Sequence, residues 1–402
     1  MAGPLEGIRI VDLTQVVAGP VCTMLLAEQG AEVIKVEFPG LGDILRHNHH
    51  YEKNGVNALE LNCNRGKKSI AIDMESPEGV ELIRELANSA DVFIQNFRAG
   101  VIERLGITHE DLRAANPNLI TVWLAGFGNS GPWADVGVFD PVIQAASGHV
   151  AAQLNPKIPF EDVHRTILID KSTALTSAQA ISAALFARER DPNKRGQHIE
   201  LNMLDNALFF FWPDGGMAHT LIDDEGVSDG MTLYQIMSVI DCADGKLTYY
   251  VANEANFKGM FRTIGKPEWA EDPTYYTSEG RATDPAISLE IAAAIESGFA
   301  ALPRDEAIRR LRANDVPHGP VLGIGELHEF EQTIHNGSFH EWEHPKAGRL
   351  RQPRAAARFS DTTLDYRWWV PELGENTDDV LREVLGRDDD QIAELRGTGT
   401  VA

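Results

Sequence analysis

The sequence predicts an α/β protein with a parallel sheet in a larger domain and a smaller α+β domain. Three observations support this fold class. The chain opens with a strand–helix–strand pattern, the unit from which parallel sheets are built. The same alternation repeats through the first half of the 402 residues. After Pro213 the pattern changes to short strands followed by helices, which is typical of a separate α+β unit.

The first strand–helix–strand unit lies at the start of the chain. Ile8–Leu13 is a short apolar run with the length of a buried strand, and Glu32–Glu37 is a second one. Between them, Pro20 suits the first turn of a helix and Gly30 suits a helix end. We therefore expect a helix that connects two parallel strands.

Further strand signals follow in the same order. Ser69–Met74 is predicted as a strand, and the next helix begins with Ser76 as its N-cap and Pro77 in its first turn. Asp91–Phe97 and Leu119–Gly128 are the next predicted strands. Ligands of open α/β sheets bind at the carboxyl ends of strands, so the residues that follow these strands are candidates for a binding site.

The predicted domain organisation divides the chain into three parts. Residues 1–222 form the N-terminal part of the large domain, residues 223–325 form the small domain, and residues 326–402 return to the large domain. The polar, glycine-bearing stretch DDEGVSDG at 223–230 is the predicted linker.

Charge and cysteine content limit the function classes. With 36 Lys and Arg against 60 Asp and Glu, the net charge is −24, so nucleic acid and anionic membranes are poor partners. Three scattered cysteines argue against a disulfide framework and for a reducing compartment. We find no signal-peptide pattern and no apolar stretch long enough to cross a bilayer. A cytoplasmic protein is expected.

Two early features suggest phosphate or nucleotide binding. Arg65, Lys67 and Lys68 precede a predicted strand, and they form either a phosphate-binding patch or a solvated basic turn. Glu37 ends the second strand, where an acidic residue binds the ribose in dinucleotide-binding folds. The fingerprint G-x-G-x-x-G of those folds does not occur at the first turn, so dinucleotide binding has little support.

A stronger candidate site follows the strand predicted at 91–97. Asn96, Phe97, Arg98 and Arg104 lie at or just after its carboxyl end. Guanidinium groups suit phosphates, and an aromatic ring can stack on a base. We prefer a binding site for a phosphate-bearing ligand over a merely polar loop.

The histidine-rich stretch from Arg46 to Glu52 does not predict a metal site. It contains His47, His49 and His50, but no second cluster with ligand spacing accompanies it. A polar surface loop without a metal is expected.

Asp170 stands between the apolar run Ile167–Ile169 and an alanine-rich helical pattern. In one interpretation the run is the end of a strand and Asp170 caps the helix, with Thr173 at the third helical position. In the other interpretation Asp170 is a partly desolvated nucleophile or base, held by the helix N-terminus. The local sequence is compatible with both.

Eight segments along nearly the whole chain form one ordered pattern. They are LEGIRIVDLTQVVAGPVCTMLLAEQGAEVIKVE, PGLGDILR, NRGKKSIAIDMESPEG, DVFIQNFRAGVIERLG, FDPVIQAASG, RGQHIELNMLD, VPHGPV and EWEHPKAGRLRQP. In this order they resemble the family III CoA-transferases, which include formyl-CoA transferase, carnitine CoA-transferase and the α-methylacyl-CoA racemases.

The resemblance implies a Rossmann-like large domain, a smaller α+β domain and an interlocked homodimer. It places CoA on the large domain, sets the active site near the domain interface, and makes Asp170 the catalytic aspartate. The CoA thioester is then a substrate and not a permanently bound cofactor, and the other substrate is a small carboxylic acid. The residues that the resemblance places around CoA are Gln15, Ala18, Ile72, Asp73, Asn96, Phe97, Arg98, Arg104, Phe139 and Asp140.

A catalytic aspartate explains how CoA can pass between acids. The carboxylate attacks a thioester to give a mixed anhydride and CoA thiolate. The thiolate then converts the anhydride to an aspartyl-CoA thioester, which the acceptor acid consumes. Backbone N–H groups near the start of the helix would stabilise the oxyanions. Because the thioester bond energy is conserved, neither ATP nor a metal is required.

The same family offers an acyl-CoA racemase as the alternative. Its racemases use a His at the position of Phe139, an Asp at 170 and a Glu in the small domain, for which Glu254 is the counterpart. Racemisation needs two acid–base groups, and Phe139 cannot transfer a proton, so transfer is favoured unless His149 substitutes. A catalytically silent CoA- or nucleotide-binding dimer is a third hypothesis. Val17 replaces a Gln of formyl-CoA transferases, and the sequence fixes neither donor nor acceptor.

Overall fold

The computed structural model describes residues 3–47, 51–153, 161–223, 225–226, 237, 239–364 and 369–402. The chain forms two compact units. The larger unit comprises Met1–Glu225 and Gly337–Ala402, and the smaller unit comprises Gly226–Asn336. Most of the linker predicted at 223–230 lies outside the described residues.

A six-stranded parallel sheet organises the larger unit. Its strands are β1 (Arg9–Asp12), β2 (Glu32–Glu37), β5 (Lys68–Ala71), β6 (Val92–Gln95), β7 (Ile120–Ala125) and β8 (His198–Asn202), while β3 (Glu52–Lys53) and β4 (Val56–Asn57) pair with each other. All neighbouring strands of the six are parallel. Their order is β5-β2-β1-β6-β7-β8, the Rossmann order, which reverses between β1 and β6. The predicted parallel sheet is confirmed.

Helices connect these strands. They are α1 (Ala18–Glu28), α2 (Ala58–Asn64), α3 (Pro77–Asn88), α4 (Val101–Leu105), α5 (His109–Ala115), α6 (Asp140–Ala146), α7 (Leu168–Arg190) and α8 (Met203–Phe211). Local signals explain the start of α3, because the Ser76 hydroxyl accepts a hydrogen bond from the Gly79 N–H at 3.0 Å and Pro77 lies in the first turn.

Apolar side chains cover both faces of the sheet. Successive residues of a strand point to opposite faces. Val11 and Phe93 therefore pack with α3, α5 and the C-terminal helices, whereas Ile10 and Ile94 pack with α1 and α7. Each large apolar side chain removed from water stabilises the fold by about 1.5–3 kcal/mol. The two layers together fix the sheet, and with it the positions of its strand ends.

The smaller unit combines a three-stranded antiparallel sheet with helices. Its strands β9 (Val239–Cys242), β10 (Gly245–Tyr249) and β11 (His318–Pro320) lie in the order β11-β10-β9. Phe261 and Phe299 are fully buried in its core. Its helices are α9 (Glu254–Thr263), α10 (Pro273–Tyr276), α11 (Ser278–Ala282), α12 (Pro285–Ala300), α13 (Arg304–Ala313) and α14 (Glu331–Asn336).

The C-terminal segment belongs to the larger unit. It contains the hairpin β12 (Phe339–His344) and β13 (Gly348–Pro353), followed by α15 (Thr377–Glu383) and α16 (Asp389–Gly397). The Asn376 side chain accepts from the Ser69 N–H at 3.0 Å, and the Thr377 hydroxyl accepts from the Ala71 N–H at 3.2 Å. The segment thereby covers the edge strand β5, whose outer backbone groups would otherwise lack partners.

Candidate active site

A cavity of about 320 Å³ opens at the carboxyl ends of β1, β6 and β7. It lies where the strand order reverses, the place at which doubly wound α/β folds bind ligands. The sequence-predicted residues that line it are Gln15, Ala18, Asn96, Phe97, Arg98, Phe139 and Asp170. Predicted residues from four separate parts of the chain are thus brought to one site.

The loop between β1 and α1 forms one wall of this cavity. The Asn96 side chain holds it, because its Oδ1 accepts from the Gln15 N–H and its Nδ2 donates to the Gln15 carbonyl, each at 2.9 Å. The next residue, Val16, has φ +70°, a left-handed conformation that is strained for a β-branched side chain. The Val16 N–H donates to Asp43 Oδ1 at 3.1 Å. Two side chains from other elements therefore impose the shape of this loop.

The start of α1 presents free amide donors to the cavity. Among the described residues, the N–H groups of Val17, Ala18 and Gly19 have no hydrogen-bond acceptor, and Val17 and Ala18 line the cavity. Gly19 is required here because a Cβ would lie 2.2 Å from the Thr14 Cβ. A helix N-terminus with unpaired N–H groups favours negative charge in front of it.

Buried ion pairs support the loop from below. Lys35 Nζ donates to the Thr14 carbonyl at 2.7 Å and pairs with Asp43 at 2.9 Å. Lys67 pairs with Asp12 at 3.0 Å. Burial would raise the pKa of Asp12, but Lys67 and Lys35 hold that pKa below its ordinary value. Sequence patterns did not reveal this network, since its members are far apart along the chain.

The basic cluster Arg65, Lys67 and Lys68 is not a phosphate-binding patch. Arg65 pairs with Glu28 at 2.6 Å, Lys67 with Asp12, and Lys68 with Glu32 at 2.7 Å. Arg65 and Lys67 are also buried. The cluster is therefore neither the phosphate-binding patch nor the solvated basic turn that the sequence left open, because these charges neutralise carboxylates of the protein itself.

Glu37 is likewise unavailable as a ribose-binding acid. It is 2% exposed, its carboxylate accepts from Arg46 at 2.7 and 2.8 Å, and it accepts from the Ser69 hydroxyl at 2.6 Å. Of the histidine-rich stretch, His49 and His50 lie outside the described residues. No group of three or more His, Cys, Asp or Glu side chains that could hold a metal occurs in the described part of the chain.

Asp170 lies inside the first turn of α7, which begins at Leu168. The prediction that Ile167–Ile169 ends a strand and that Asp170 caps the helix is wrong: the N-cap is Ile167, and Asp170 is the third helical residue. Asp170 is 8% exposed and lines the cavity. No donor among the described residues hydrogen-bonds to its carboxylate.

Asp140 fixes the start of α7 from outside the helix. It is 1% exposed, and its Oδ2 accepts from the N–H groups of Ile169 at 2.6 Å and Asp170 at 2.9 Å. Its Oδ1 accepts from the Gln144 side chain. The expectation that N–H groups at this helix start stabilise oxyanions is therefore wrong, because the donors next to Asp170 are already bonded.

The two aspartates also interact electrostatically. Burial, and then the negative charge of Asp140, raise the pKa of Asp170 from its ordinary value of 3.8 to about 7. A carboxyl group with a raised pKa in a cleft is typical of catalytic sites. It is more basic than a solvated aspartate and still ionises near neutral pH.

Two arginines are exposed in the segment that follows β6. Arg98 is exposed and lines the cavity, and Arg104 is exposed on α4. Within the described part of the chain neither guanidinium has an ion-pair or hydrogen-bond partner. A Cβ at position 137 would lie 2.5 Å from Arg98 Nη2, so Gly137 makes room for this side chain. Both arginines are thus available to a phosphate.

Ile72 and Asp73 lie just beyond the end of β5. Ile72 is fully buried and forms a bridge with Val401. The Asp73 N–H donates to the Thr400 carbonyl, and its Oδ1 accepts from the Glu75 N–H, both at 2.9 Å. These residues do not belong to the lining of the 320 Å³ cavity.

Besides Asp170, the residues considered for racemisation are Phe139, His149 and Glu254. Phe139 lines the cavity and is 61% exposed. His149 is 4% exposed, and its Nδ1 lies 3.0 Å from the Ser147 hydroxyl. Burial, together with His164, lowers the pKa of His149. Glu254 is the exposed first residue of α9 in the smaller unit.

Fold and site define an α/β enzyme with a ligand cleft at the switch point of its sheet and a basic carboxylate inside that cleft. A family model described as CoA-transferase family III matches residues 5–377. The chain belongs to CoA-transferase family III, and the resemblance found in the sequence is confirmed.

Named relatives agree with this assignment. The chain is 32% identical to a formyl-CoA:oxalate CoA-transferase of Bradyrhizobium sp. (strain ORS 278), over 100% of this chain and 98% of the relative. It is 31% identical to the succinyl-CoA:glutarate CoA-transferase of Mus musculus, over 99% of this chain and 90% of the relative.

Solved structures share the fold. The hypothetical protein Rv3272 of Mycobacterium tuberculosis superposes with a TM-score of 0.80 at 28% identity, covering 94% of this chain and 99% of its own. A CAIB/BAIF family protein of Brucella suis superposes with a TM-score of 0.79 at 28% identity, covering 96% and 100%. No described helix combines the length and apolar character needed to cross a membrane.

Proposed function

We propose that this protein transfers CoA from an acyl-CoA to a carboxylic acid, with Asp170 as the covalent carrier. Family membership and the activities named for its relatives support the reaction class. The observation that carries the role of Asp170 is its placement: a basic carboxylate without a hydrogen-bond donor among the described residues faces the cavity at the sheet's switch point.

The proposed cycle has four steps. Asp170 attacks the donor thioester, forming an aspartyl–acyl anhydride and expelling CoA thiolate. The thiolate attacks the Asp170 carbonyl, forming an aspartyl-CoA thioester and releasing the donor acid. The acceptor carboxylate attacks that thioester, forming a new anhydride and CoA thiolate. The thiolate then attacks the acceptor carbonyl, which yields the new acyl-CoA and restores the Asp170 carboxylate.

The start of α1 is the proposed oxyanion site for these steps. Each step places negative charge on a carbonyl oxygen beside Asp170, and the N–H groups of Val17, Ala18 and Gly19 have no other acceptor in the described structure. A preorganised donor of this kind typically contributes about 3 kcal/mol to transition-state stabilisation. Helix α1 thus takes the role first expected of the amides of α7.

We place CoA along the cavity and its mouth. Arg98 and Arg104 are proposed partners of its phosphates, and Phe97 of its adenine or pantetheine portion. Gln15, Ala18, Asn96 and Phe139 would border the thioester end. Asp73, at the end of β5, would contact the distal end of CoA, whereas Ile72 is fully buried and would only support that strand end. Asp140 is 1% exposed and therefore out of reach of CoA, so we propose that it acts on Asp170 and not on the substrate.

The proposal includes a homodimer and needs no permanently bound cofactor. In the larger unit Leu175 is 60% exposed, Phe209 80% and Ile222 91%. A contiguous exposed apolar surface marks an interaction site, and we propose that these side chains are buried against a second copy. The acceptor is proposed to be a small carboxylic acid, and a screen of acyl-CoA donors against such acids would identify the pair.

Covalent trapping tests the proposal. The protein is incubated with an acyl-CoA, treated with hydroxylamine or borohydride, and digested for mass spectrometry. Modification of the peptide that contains Asp170 is expected. The variant Asp170→Ala should lose turnover and trapping while it still binds CoA.

A matched control replaces Asp111, an exposed carboxylate in the first turn of α5. Asp111→Asn should keep full transfer and full trapping. Transfer in Asp170→Ala would contradict the proposal. Exchange of the substrate α-proton in heavy water without trapping would instead indicate the racemase.

A further inference from the structure

We infer that Asp140 is a positioning residue for CoA transfer: it occupies the amide donors at the start of α7, which leaves the Asp170 carboxylate without them, and it holds a negative charge beside that carboxylate. The inference rests on the proposed role of Asp170 as nucleophile. In this role Asp140 does not need to contact CoA. The role also explains why the Asp170 carboxylate remains reactive although it lies at a helix N-terminus.

The geometry is that of a cap supplied from another helix. Asp140 is the first residue of α6, 30 residues before Asp170. One oxygen accepts from both the Ile169 and the Asp170 N–H groups, and the other accepts from Gln144. The Gln144 Oε1 in turn accepts from the His164 N–H at 2.7 Å. Both carboxylate oxygens of Asp140 accept hydrogen bonds, so its side chain is held in one orientation.

This arrangement determines what Asp170 can bind. Carboxylates in the first turn of a helix ordinarily gain stability from its unpaired N–H groups. In α7 the two donors next to Asp170 serve Asp140 instead. A carboxylate that accepts few hydrogen bonds has a less stabilised charged form, and no such bond must be broken before it attacks a thioester. Its ionised state is therefore more nucleophilic.

The groups around Asp170 point to Asp140 as the source of this effect. Asp170 interacts electrostatically with the Asp140 carboxylate on α6 and with the Cys63 thiol on α2. Arg98, in the loop after β6, lines the same cavity. Burial raises the pKa of the Cys63 thiol to about 12, against the charge of Lys67 and with smaller contributions from Asp43 and Asp170, so that thiol is neutral at working pH. The β1–α1 loop contributes no charged side chain between Gln15 and Ala18.

The variant Asp140→Asn separates charge from geometry. Its amide oxygen can still accept both N–H groups, but the negative charge beside Asp170 is gone. The acidic limb of the kcat/KM–pH profile should move to lower pH by about one unit, because a like charge no longer opposes ionisation of Asp170. The plateau should fall by less than about tenfold, since a carboxylate that is one pKa unit less basic is a somewhat weaker nucleophile. A merely structural Asp140 would lower the rate without moving the limb.

Asp140→Ser provides a second variant, because a serine hydroxyl also caps a helix without charge. It should show the same displacement of the limb, whereas the matched variant Asp111→Asn should leave limb and plateau unchanged. An unmoved limb in folded Asp140→Asn and Asp140→Ser would overturn the inference. Loss of folding in both would also overturn it, since a positioning residue predicts a folded, slower enzyme.

Covalent trapping of Asp170 in the wild-type protein distinguishes failure of this inference from failure of the proposed function. If wild-type Asp170 is not acylated by acyl-CoA, the proposed function itself fails. If it is acylated and the limb of the Asp140 variants does not move, only the role of Asp140 fails.

Discussion

The Asn96 side-chain amide bonds both backbone groups of Gln15, with its Oδ1 and Nδ2 each 2.9 Å from their partner atoms. Asn96 follows β6 and Gln15 follows β1, the two strands between which the sheet order reverses. These two hydrogen bonds form a clamp that joins the loops after β1 and β6 at the point where the strand order reverses. It also fixes the loop before α1, whose first residues line the same cavity as Asp170.

Removing this clamp should affect catalysis more than folding. Asn96→Ala loses two hydrogen bonds of about 1 kcal/mol each and releases the loop that carries the proposed oxyanion donors. A small displacement of such donors reduces rates by about a hundredfold. We expect kcat to fall by about that factor, measured in steady-state transfer assays.

The control for Asn96 is Asn116, whose Nδ2 also bonds backbone carbonyls, those of Asn88 and Ala90 at 3.2 and 3.3 Å. Asn116→Ala should lower the free energy of unfolding by a similar amount and leave kcat unchanged. Equal kcat values in the two variants would refute the role assigned to the clamp.

Arg104 is expected to contribute to CoA affinity and not to stability. Its guanidinium has no ion-pair partner in the described structure, so Arg104→Ala removes no internal contact of that group. Loss of one phosphate contact of about 1.4 kcal/mol weakens binding about tenfold. The dissociation constant of CoA, measured by calorimetry, should rise by that factor while the thermal midpoint is retained.

A suitable comparison for Arg104 is Arg195→Ala, which removes an exposed arginine that pairs with Asp191 at 2.7 Å. It should leave CoA affinity unchanged. CoA affinity that is unaffected by Arg104→Ala would place the phosphates elsewhere.

Asp170 should reduce stability at neutral pH. Its folded-state pKa is raised from 3.8 to about 7, so the folded state disfavours the ionised form that the unfolded chain already prefers above pH 4. The penalty is full above about pH 7, shrinks as the pH falls, and vanishes below the unfolded pKa. Asp170→Asn should therefore raise the free energy of unfolding at pH 8, on the order of a few kcal/mol.

Denaturant titrations at pH 8 and at pH 4 measure this difference. The two proteins should converge at the lower pH, and Asp111→Asn should show no such pH-dependent gain. A destabilised Asp170→Asn protein at pH 8 would mean that the carboxylate is held for stability and not for chemistry.

Features encoded by neighbouring residues could be predicted from the sequence. The start of α3 follows from Ser76 and Pro77, which act within one helical turn. The parallel sheet follows from apolar runs that alternate with helical patterns. The gathering of Asn96, Phe97, Arg98 and Asp170 at one cavity agrees with the rule that strand ends of open sheets carry the site.

Features that depend on distant partners could not be predicted. The run Ile167–Ile169 has the composition of a strand, but it leads into α7, whose first N–H groups bond to Asp140 from another helix. The charges of Arg65 and Lys67 suggested a ligand, but their partners Glu28 and Asp12 lie 37 and 55 residues earlier. Spacing along a chain does not reveal which buried charges neutralise each other.

Oxygen transfer tests the covalent role of Asp170 most directly. The acceptor acid is supplied with both carboxylate oxygens as ¹⁸O, and the protein is digested after several turnovers. If the acceptor attacks an aspartyl-CoA thioester, one ¹⁸O must remain on Asp170 when the new acyl-CoA departs, and the peptide with Asp170 gains mass. Formation of the new acyl-CoA with that peptide unlabelled would show direct transfer between substrates and would contradict the account.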